Sequence, residues 1–162
     1  MLWGAISYDT KSPLIVMKRD PQARNHGYSS WSYCKALEEG LLPIWPVKAD
    51  GLFQHDNAPI HRAQRSKEWL QAHGVTMIPS WPPYSPDLNP IEPIWRILKA
   101  RIRRLYPSLH LLMDNQEDFD LFVEVVQEAW ALIPQQQIRG LINSIKRRLW
   151  AVIRARGWYT RY

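Results

Sequence analysis

Residues 81–95 read WPPYSPDLNPIEPIW, and five of those fifteen residues are prolines: Pro82, Pro83, Pro86, Pro90 and Pro93. Each proline fixes its own φ, withdraws a backbone N–H and pushes the preceding residue towards extended geometry. Neither a helix interior nor a central strand tolerates that density. The stretch is therefore a stiff extended arm, ending where a helix begins near Asn89. It delivers one carboxylate, Glu92, at its end. A purely local reading makes Asn89 the N-cap and Pro90 the first helical residue, with Glu92 closing a capping box three residues on. Pro93 fits that scheme imperfectly, because the next N–H begins to serve the helix ladder. The cap also leaves the upstream prolines unexplained, so a second role for Glu92 stays open.

The 162 residues suggest one domain, 1–162, long enough for a real core. Nine tryptophans and 46% hydrophobic residues argue for a folded chain. The single cysteine, Cys34, excludes an internal disulfide framework and a four-cysteine zinc site, and it reads as a small core residue. No apolar run approaches the roughly 20 residues of a membrane helix. The start, MLWGAIS, lacks the charged region and long apolar stretch of a secretory signal. These features predict a soluble, intracellular protein with no membrane partner. The net charge of +6 and a pI near 9.6 favour an anionic partner, nucleic acid first among them, over a small-molecule substrate.

Two short apolar segments at 2–7 and 14–17 flank the turn-rich YDTKSP and predict a β-hairpin. Helical spacing of Trp31, Cys34, Leu37, Leu41 and Leu42 predicts a helix over 28–45. A strand at 51–55 ends at Asp56. A helix opened by Pro59 and closed by Gly74 follows, then a strand at 75–78, the proline arm, and a helix from 89 to about 106. Phe119, Phe122, Val126 and Trp130 share a helix face running to Ile133, where Pro134 marks a break. Leu141, Ile145, Leu149 and Val152 mark a last helix, ended near Gly157. Strands alternating with helices after an opening hairpin indicate an α/β fold with a sheet of mixed direction.

Asp56 lies in FQHDNAPIHRA, at a strand end beside a turn. Such a carboxylate suits metal or catalytic work, or it simply caps the following turn. Asn57 and His61 read equally as site neighbours or as local hydrogen-bonding residues. His55 and His61 are six residues apart, a poor helix-face spacing, which argues against a zinc site built on them.

HDNAPIHRA, then a strand, then WPPYSPDLNPIEPIW together resemble the catalytic core of Tc/mariner-superfamily DDE transposases. LWGAIS resembles that family's second strand, and LINSIKRRLWAVIRARGWYTRY its C-terminal helix and tail. The resemblance implies a ribonuclease-H-like mixed sheet flanked by helices, with residues 107–162 as helical C-terminal part. It implies metal-dependent DNA cleavage and strand transfer, with Mg2+ or Mn2+ as cofactor and DNA as partner. It makes Asp56 the second and Glu92 the third acidic metal ligand, with 35 residues between them. Asn57, His61, Tyr84, Ser85, Pro86, Asp87, Asn89 and Pro90 become the site's surroundings, Asp87 being part of the arm and not a ligand. A rigid arm then has a purpose: magnesium demands near-octahedral oxygen geometry, which a loosely held carboxylate would spoil.

The family's first acid lies on a first strand upstream of the segment that WGAIS resembles. The resemblance thus implies a chain truncated before that acid, without the first central strand and without an N-terminal helix-turn-helix module. Asp9 falls in the hairpin turn, on the wrong side of the second strand to substitute. Two basic groups, Arg96, Lys99, Arg101, Arg103 and Arg104 on one helix and Lys146, Arg147, Arg148, Arg154 and Arg156 on the last, are solvated faces or phosphate contacts. Charge and resemblance favour phosphate for Arg96, Lys99, Arg103, Lys146, Arg147 and Arg148. The expected function is that of a fragment of a cut-and-paste transposase, nuclear if the source is eukaryotic. The alternatives are an inactive DNA-binding remnant, or a fragment acting through a homo-oligomer or an intact transposase.

Overall fold

The computed structural model describes residues 1–45, 51–79, 81–82, 85–113, 115–158 and 160. They fall into two compact units, residues 1–5 with 12–84 and residues 6–11 with 85–162.

In the first unit, β1 (Leu2–Trp3) and β2 (Ile15–Val16) pair antiparallel, with Leu2 opposite Val16 and Trp3 opposite Ile15. This is the base of the predicted hairpin, with a shorter ladder than the apolar segments suggested. The predicted strands at 51–55 and 75–78 meet as one parallel bridge, Phe53 to Met77. It is held by Phe53 N–H to Thr76 O at 2.7 Å and Ile78 N–H to Phe53 O at 2.9 Å. Among the described residues, the broad mixed sheet is thus reduced to the β1–β2 antiparallel pair and two isolated bridges, Ile6 to Lys11 antiparallel and Phe53 to Met77 parallel. A strand extends only as far as a neighbour accepts its N–H groups.

Helix α1 (Ser30–Gly40) is shorter than its apolar spacing suggested because Ser29 caps it, in a capping box with Ser32. Tyr33, Leu37 and Leu41 turn inward with Trp3, Met17 and Leu70 to form the core of this unit. Its last residue has to be glycine. A Cβ on Gly40 would lie 2.3 Å from the Trp3 ring and 3.0 Å from Ile15 Cγ1. The helix expected after Asp56 is two helices, α2 (Pro59–Arg62) and α3 (Gln64–Ala72), separated where Ala63 takes ψ 146°. Gly74, at φ +64°, ends α3 in the left-handed conformation that suits glycine.

The second unit is helical: α4 (Ile91–Leu105), a 3₁₀ turn (Pro107–Leu111), α5 (Gln116–Ala131), α6 (Gln135–Asn143) and α7 (Ile145–Arg154). Ile94 and Leu98 of α4 and Val126 and Trp130 of α5 are buried, and Trp95 stacks on Trp130 at 5.5 Å. Asn115 caps α5 by accepting the Asp118 N–H, and Pro134 precedes α6 as anticipated. The single last helix expected from Leu141, Ile145, Leu149 and Val152 is two, α6 and α7, meeting at Ser144. Leu149 is exposed rather than core. The tip of the hairpin belongs to this unit, where Lys11 Nζ donates to the carbonyls of Trp130, Ala131 and Ile133 at 2.6–2.8 Å. Among the described residues, no helix is long and apolar enough to cross a membrane.

Candidate active site

Asp56 follows the Phe53 bridge at the mouth of the loop into α2. Its Oδ1 accepts the Ala58 N–H at 2.9 Å and the His61 Nδ1–H at 2.6 Å. The turn-capping role open in the sequence is therefore real, and it occupies one oxygen. Oδ2 has no partner among the described residues, and the side chain is 65% exposed. Asp56 can cap the loop and still offer an oxygen outward.

His61 is held from its other sides by rings. It stacks on His55 with centroids 4.9 Å apart and planes 9° from parallel, and it lies 4.2 Å from the Tyr33 ring. The Tyr33 hydroxyl lies 2.8 Å from His55 Nδ1. Burial, then the neighbouring His61, pulls His55 down to about 4, against an opposing pull from Asp56, so the ring is neutral at physiological pH. Burial, with the nearby Cys34 and Asp56, pushes Tyr33 well above the ordinary tyrosine value. The result is a pair of neutral rings, His55 and Tyr33, that fixes the His61 ring, which in turn holds the Asp56 carboxylate. The sequence does not mark Tyr33 as a support, and for His55 its only trace is the HxxxxxH spacing to His61 across Asp56.

Asn57 turns away from Asp56 and donates Nδ2–H to Trp81 O at 3.2 Å, joining this loop to the start of the proline arm. A groove of about 480 Å³ lies beside it, lined by Gln54, His55, Asn57, His61, Arg62 and Trp81 among others.

Within the second unit, the arm descends through tight turns: Leu88 N–H to Ser85 O at 3.3 Å, and Asn89 N–H to Pro86 O at 3.1 Å. Asn89 Oδ1 accepts the Ile91 N–H at 3.2 Å, so Asn89 serves the helix start as its sequence suggested. Pro90 is the cap residue rather than the first helical one, and α4 has no side-chain cap bond from it. Glu92 sits in the first turn of α4, half-buried, and its carboxylate makes no hydrogen bond or ion pair among the described residues. The capping box is not formed. Tyr84 lies outside the described residues.

The remaining predicted residues divide by environment. Arg96, Lys99 and Arg103 on α4, and Lys146 and Arg147 on α7, are exposed. Arg148 is not. It is 5% exposed, with Nε on Ser144 Oγ at 2.9 Å and Nη1 on Asp87 O at 3.0 Å. Its guanidinium is turned inward and bonded to protein, unlike the neighbouring Lys146 and Arg147, which the sequence grouped with it as phosphate contacts. Charge alone gave no sign of this, since Arg147 and Arg148 are indistinguishable in sequence. Asp9, at the hairpin tip, is paired with Arg139 at 3.7 Å.

Two carboxylates, each with an oxygen not engaged by protein among the described residues, are donors of the hard type that Mg2+ and Mn2+ prefer. Among the described residues, no three histidine, cysteine or acidic side chains come together as a ligand group. The donors, each within its own unit, fit such an ion in kind.

Comparison with known proteins agrees with these motifs. The DDE superfamily endonuclease family matches residues 52–117, a span containing both Asp56 and Glu92. The solved catalytic domain of Mos1 transposase, determined with raltegravir and manganese, superposes with a TM-score of 0.59 at 19% identity. It covers 98% of this chain and 82% of that one. The likeness shows the fold, a ribonuclease-H-like one. The Tc1 transposase of Caenorhabditis elegans is 32% identical over 169 residues, and the Tcb1 transposase of Caenorhabditis briggsae is 33% identical over 167. Each alignment takes in all of this chain and 54% of the relative. The chain belongs to the Tc/mariner superfamily of DDE transposases, and it spans about half the length of the curated relatives it matches.

Proposed function

We propose that the chain is the part of a cut-and-paste transposase that contributes Asp56 and Glu92 to a divalent-metal site for DNA strand cleavage and transfer. The observation carrying this reading is the pair of motif carboxylates, each supported by its surroundings yet with oxygen to offer. A bound Mg2+ or Mn2+ pair would supply Lewis-acid stabilisation to the attacking and leaving oxygens of a phosphodiester. The protein's own part is to hold the carboxylates still: the His61 stack fixes Asp56, and the proline arm fixes Glu92. The cations of α4 and α7, Arg96, Lys99, Arg103, Lys146 and Arg147, hold the DNA backbone.

The test is Mn2+ binding to the full chain, read by water-proton relaxation. Asp56→Ala and Glu92→Ala should each weaken it, and the double variant should bind more weakly than either single, because each single variant keeps one carboxylate for the ion. Binding untouched by either substitution sinks the reading. The family requires three acids and the motifs here supply two, so the chain alone should cleave DNA no better than its Asp56→Ala variant in Mg2+ or Mn2+. Cleavage lost in both Asp56→Ala and Asp9→Ala would show that Asp9 leaves Arg139 to serve as the third.

A second reading, DNA binding without catalysis, is favoured by the exposed cations on α4 and α7 alone. Retention on DNA that falls with salt and ignores divalent metal would support it.

A further inference from the structure

Arg148 is the exception on its helix. Its neighbours Lys146 and Arg147 are exposed, while its own side chain is 5% exposed. Arginine is always charged, and withdrawing it from water is costly unless its N–H groups find partners. One partner is Ser144 Oγ, four residues back, which is itself buried and donates on to Leu141 O at 2.6 Å. Another is the main-chain carbonyl of Asp87, 61 residues away in sequence, at 3.0 Å. A bond to a carbonyl is indifferent to the side chain at 87. What it fixes is the path of the backbone.

That backbone is the proline arm. Between Asp87 and Glu92 the chain passes through the Pro86–Asn89 turn, the Asn89–Ile91 bond and Pro90, with little torsional freedom left. A displacement at Asp87 is therefore carried to Glu92 and is not absorbed on the way. A second tie reaches the same residue, as Thr160 Oγ1 donates to Asp87 Oδ2 at 3.3 Å. The C-terminal segment thus grips both the main chain and the side chain of Asp87.

We propose that Arg148 is a positioning residue for the carboxylate of Glu92: with Ser144 behind it and Thr160 beside it, it clamps the arm at Asp87 and sets where α4 presents Glu92. The inference rests on the reading of Glu92 as a metal ligand, and it gives the C-terminal helix a part in the site that the acidic motifs do not suggest.

The test compares the full chain with Arg148→Met, Arg148→Lys and, as a control on the same helix, Arg154→Met. Hydrogen exchange should accelerate at least tenfold in peptides covering residues 87–92 of Arg148→Met, while peptides from α5 keep their wild-type rates. Arg148→Lys should fall between, because an ammonium keeps the charge but cannot reach Ser144 Oγ and Asp87 O together. Mn2+ affinity should fall several-fold in Arg148→Met and recover partly in Arg148→Lys, with Arg154→Met unchanged. If Arg148→Met loosens α5 as well, Ser144→Ala, which removes the guanidinium's anchor and keeps its charge, should reproduce the local acceleration in milder form. Unchanged exchange at 87–92 in both Arg148→Met and Ser144→Ala would overturn the clamp. Faster exchange with unchanged Mn2+ affinity would overturn the positioning role. If wild type itself binds no Mn2+, the metal-site reading fails, and the exchange data still decide whether the clamp exists.

Discussion

Replacing Lys11 with methionine should destabilise the helical unit by about 2 kcal/mol. Lys11 Nζ donates to Trp130 O at 2.7 Å, Ala131 O at 2.8 Å and Ile133 O at 2.6 Å, carbonyls at and beyond the C-terminal end of α5. Such carbonyls have few partners within a helix and carry the negative end of its dipole. A cation at a helix C-terminus contributes about 0.3–1 kcal/mol when exposed and up to about 2 when partly buried. A single charge-assisted hydrogen bond is worth roughly 1.5–3 kcal/mol. The three bonds here share one ammonium, so their values do not add. Burial, then the like charge of Arg101, holds Lys11 below the ordinary lysine pKa, which means that desolvation offsets part of the gain. The ammonium also lies 5.9 Å from the Trp130 ring centroid, a minor cation–π term. Methionine keeps most of the stem's volume and removes the charge, so the loss isolates the polar contribution. Urea unfolding followed by tryptophan fluorescence should show the midpoint falling without a change in slope. For a chain of this size, the same loss corresponds to a fall in Tm of roughly 4–8 °C. A Lys11→Met variant within about 0.5 kcal/mol of wild type would refute the reasoning, since it would mean that water serves these carbonyls as well as Lys11 does.

Gly40→Ala should destabilise the first unit by about 1–2 kcal/mol: alanine gains up to about 1 kcal/mol of helix propensity, but overpacking against the Trp3 ring at 2.3 Å costs roughly 1–3. Combining it with Trp3→Leu should recover part of the loss in chemical denaturation, and a stabilised single variant would contradict the packing assignment. Double-stranded DNA retention by the chain should weaken with salt, and replacing Lys99 and Arg103 together with glutamine should lower the log–log slope by about 2, near 0.9 for each phosphate no longer neutralised. An unchanged slope would remove α4 from the DNA-facing surface.

Much of this molecule was legible because its signals are local. Gly74 after α3 and Pro134 between α5 and α6 each act within one helical turn, and each acts where the sequence placed it, whereas Ser29 and Asn115 cap α1 and α5 just as locally although the apolar periodicity alone began the first helix at 28 and marked no cap for α5. The motifs around Asp56 and Glu92 were legible for a different reason, since two long patterns in the right order define a family. What escaped has long-range causes. The break at Ala63 has neither proline nor glycine to mark it. The pairing of Asp9 depends on Arg139, 130 residues away, and the burial of Arg148 depends on a carbonyl 61 residues away. Composition was least informative where charge was densest, because a run such as Lys146-Arg147-Arg148 states how many cations a helix carries but not which way each points.

The two roles open for Asp56 in the sequence are compatible in the structure, and the two for Glu92 separate. Asp56 caps its loop through Oδ1 and retains Oδ2, so the geometry that holds the carboxylate still also leaves an oxygen to offer. At α4 the division of labour is between residues instead. Asn89 takes the helix-start bond, and Glu92, which sequence alone would have accepted as a capping partner, has no bond to make among the described residues. A half-buried carboxylate without a partner among the described residues is a poor structural element, because burial costs it solvation and no described residue of its unit offsets that cost. The arm that carries it is in turn held by a buried arginine, itself an expensive device. Two such costs on one short segment are explained together if the segment exists to present a carboxylate rather than to stabilise a helix.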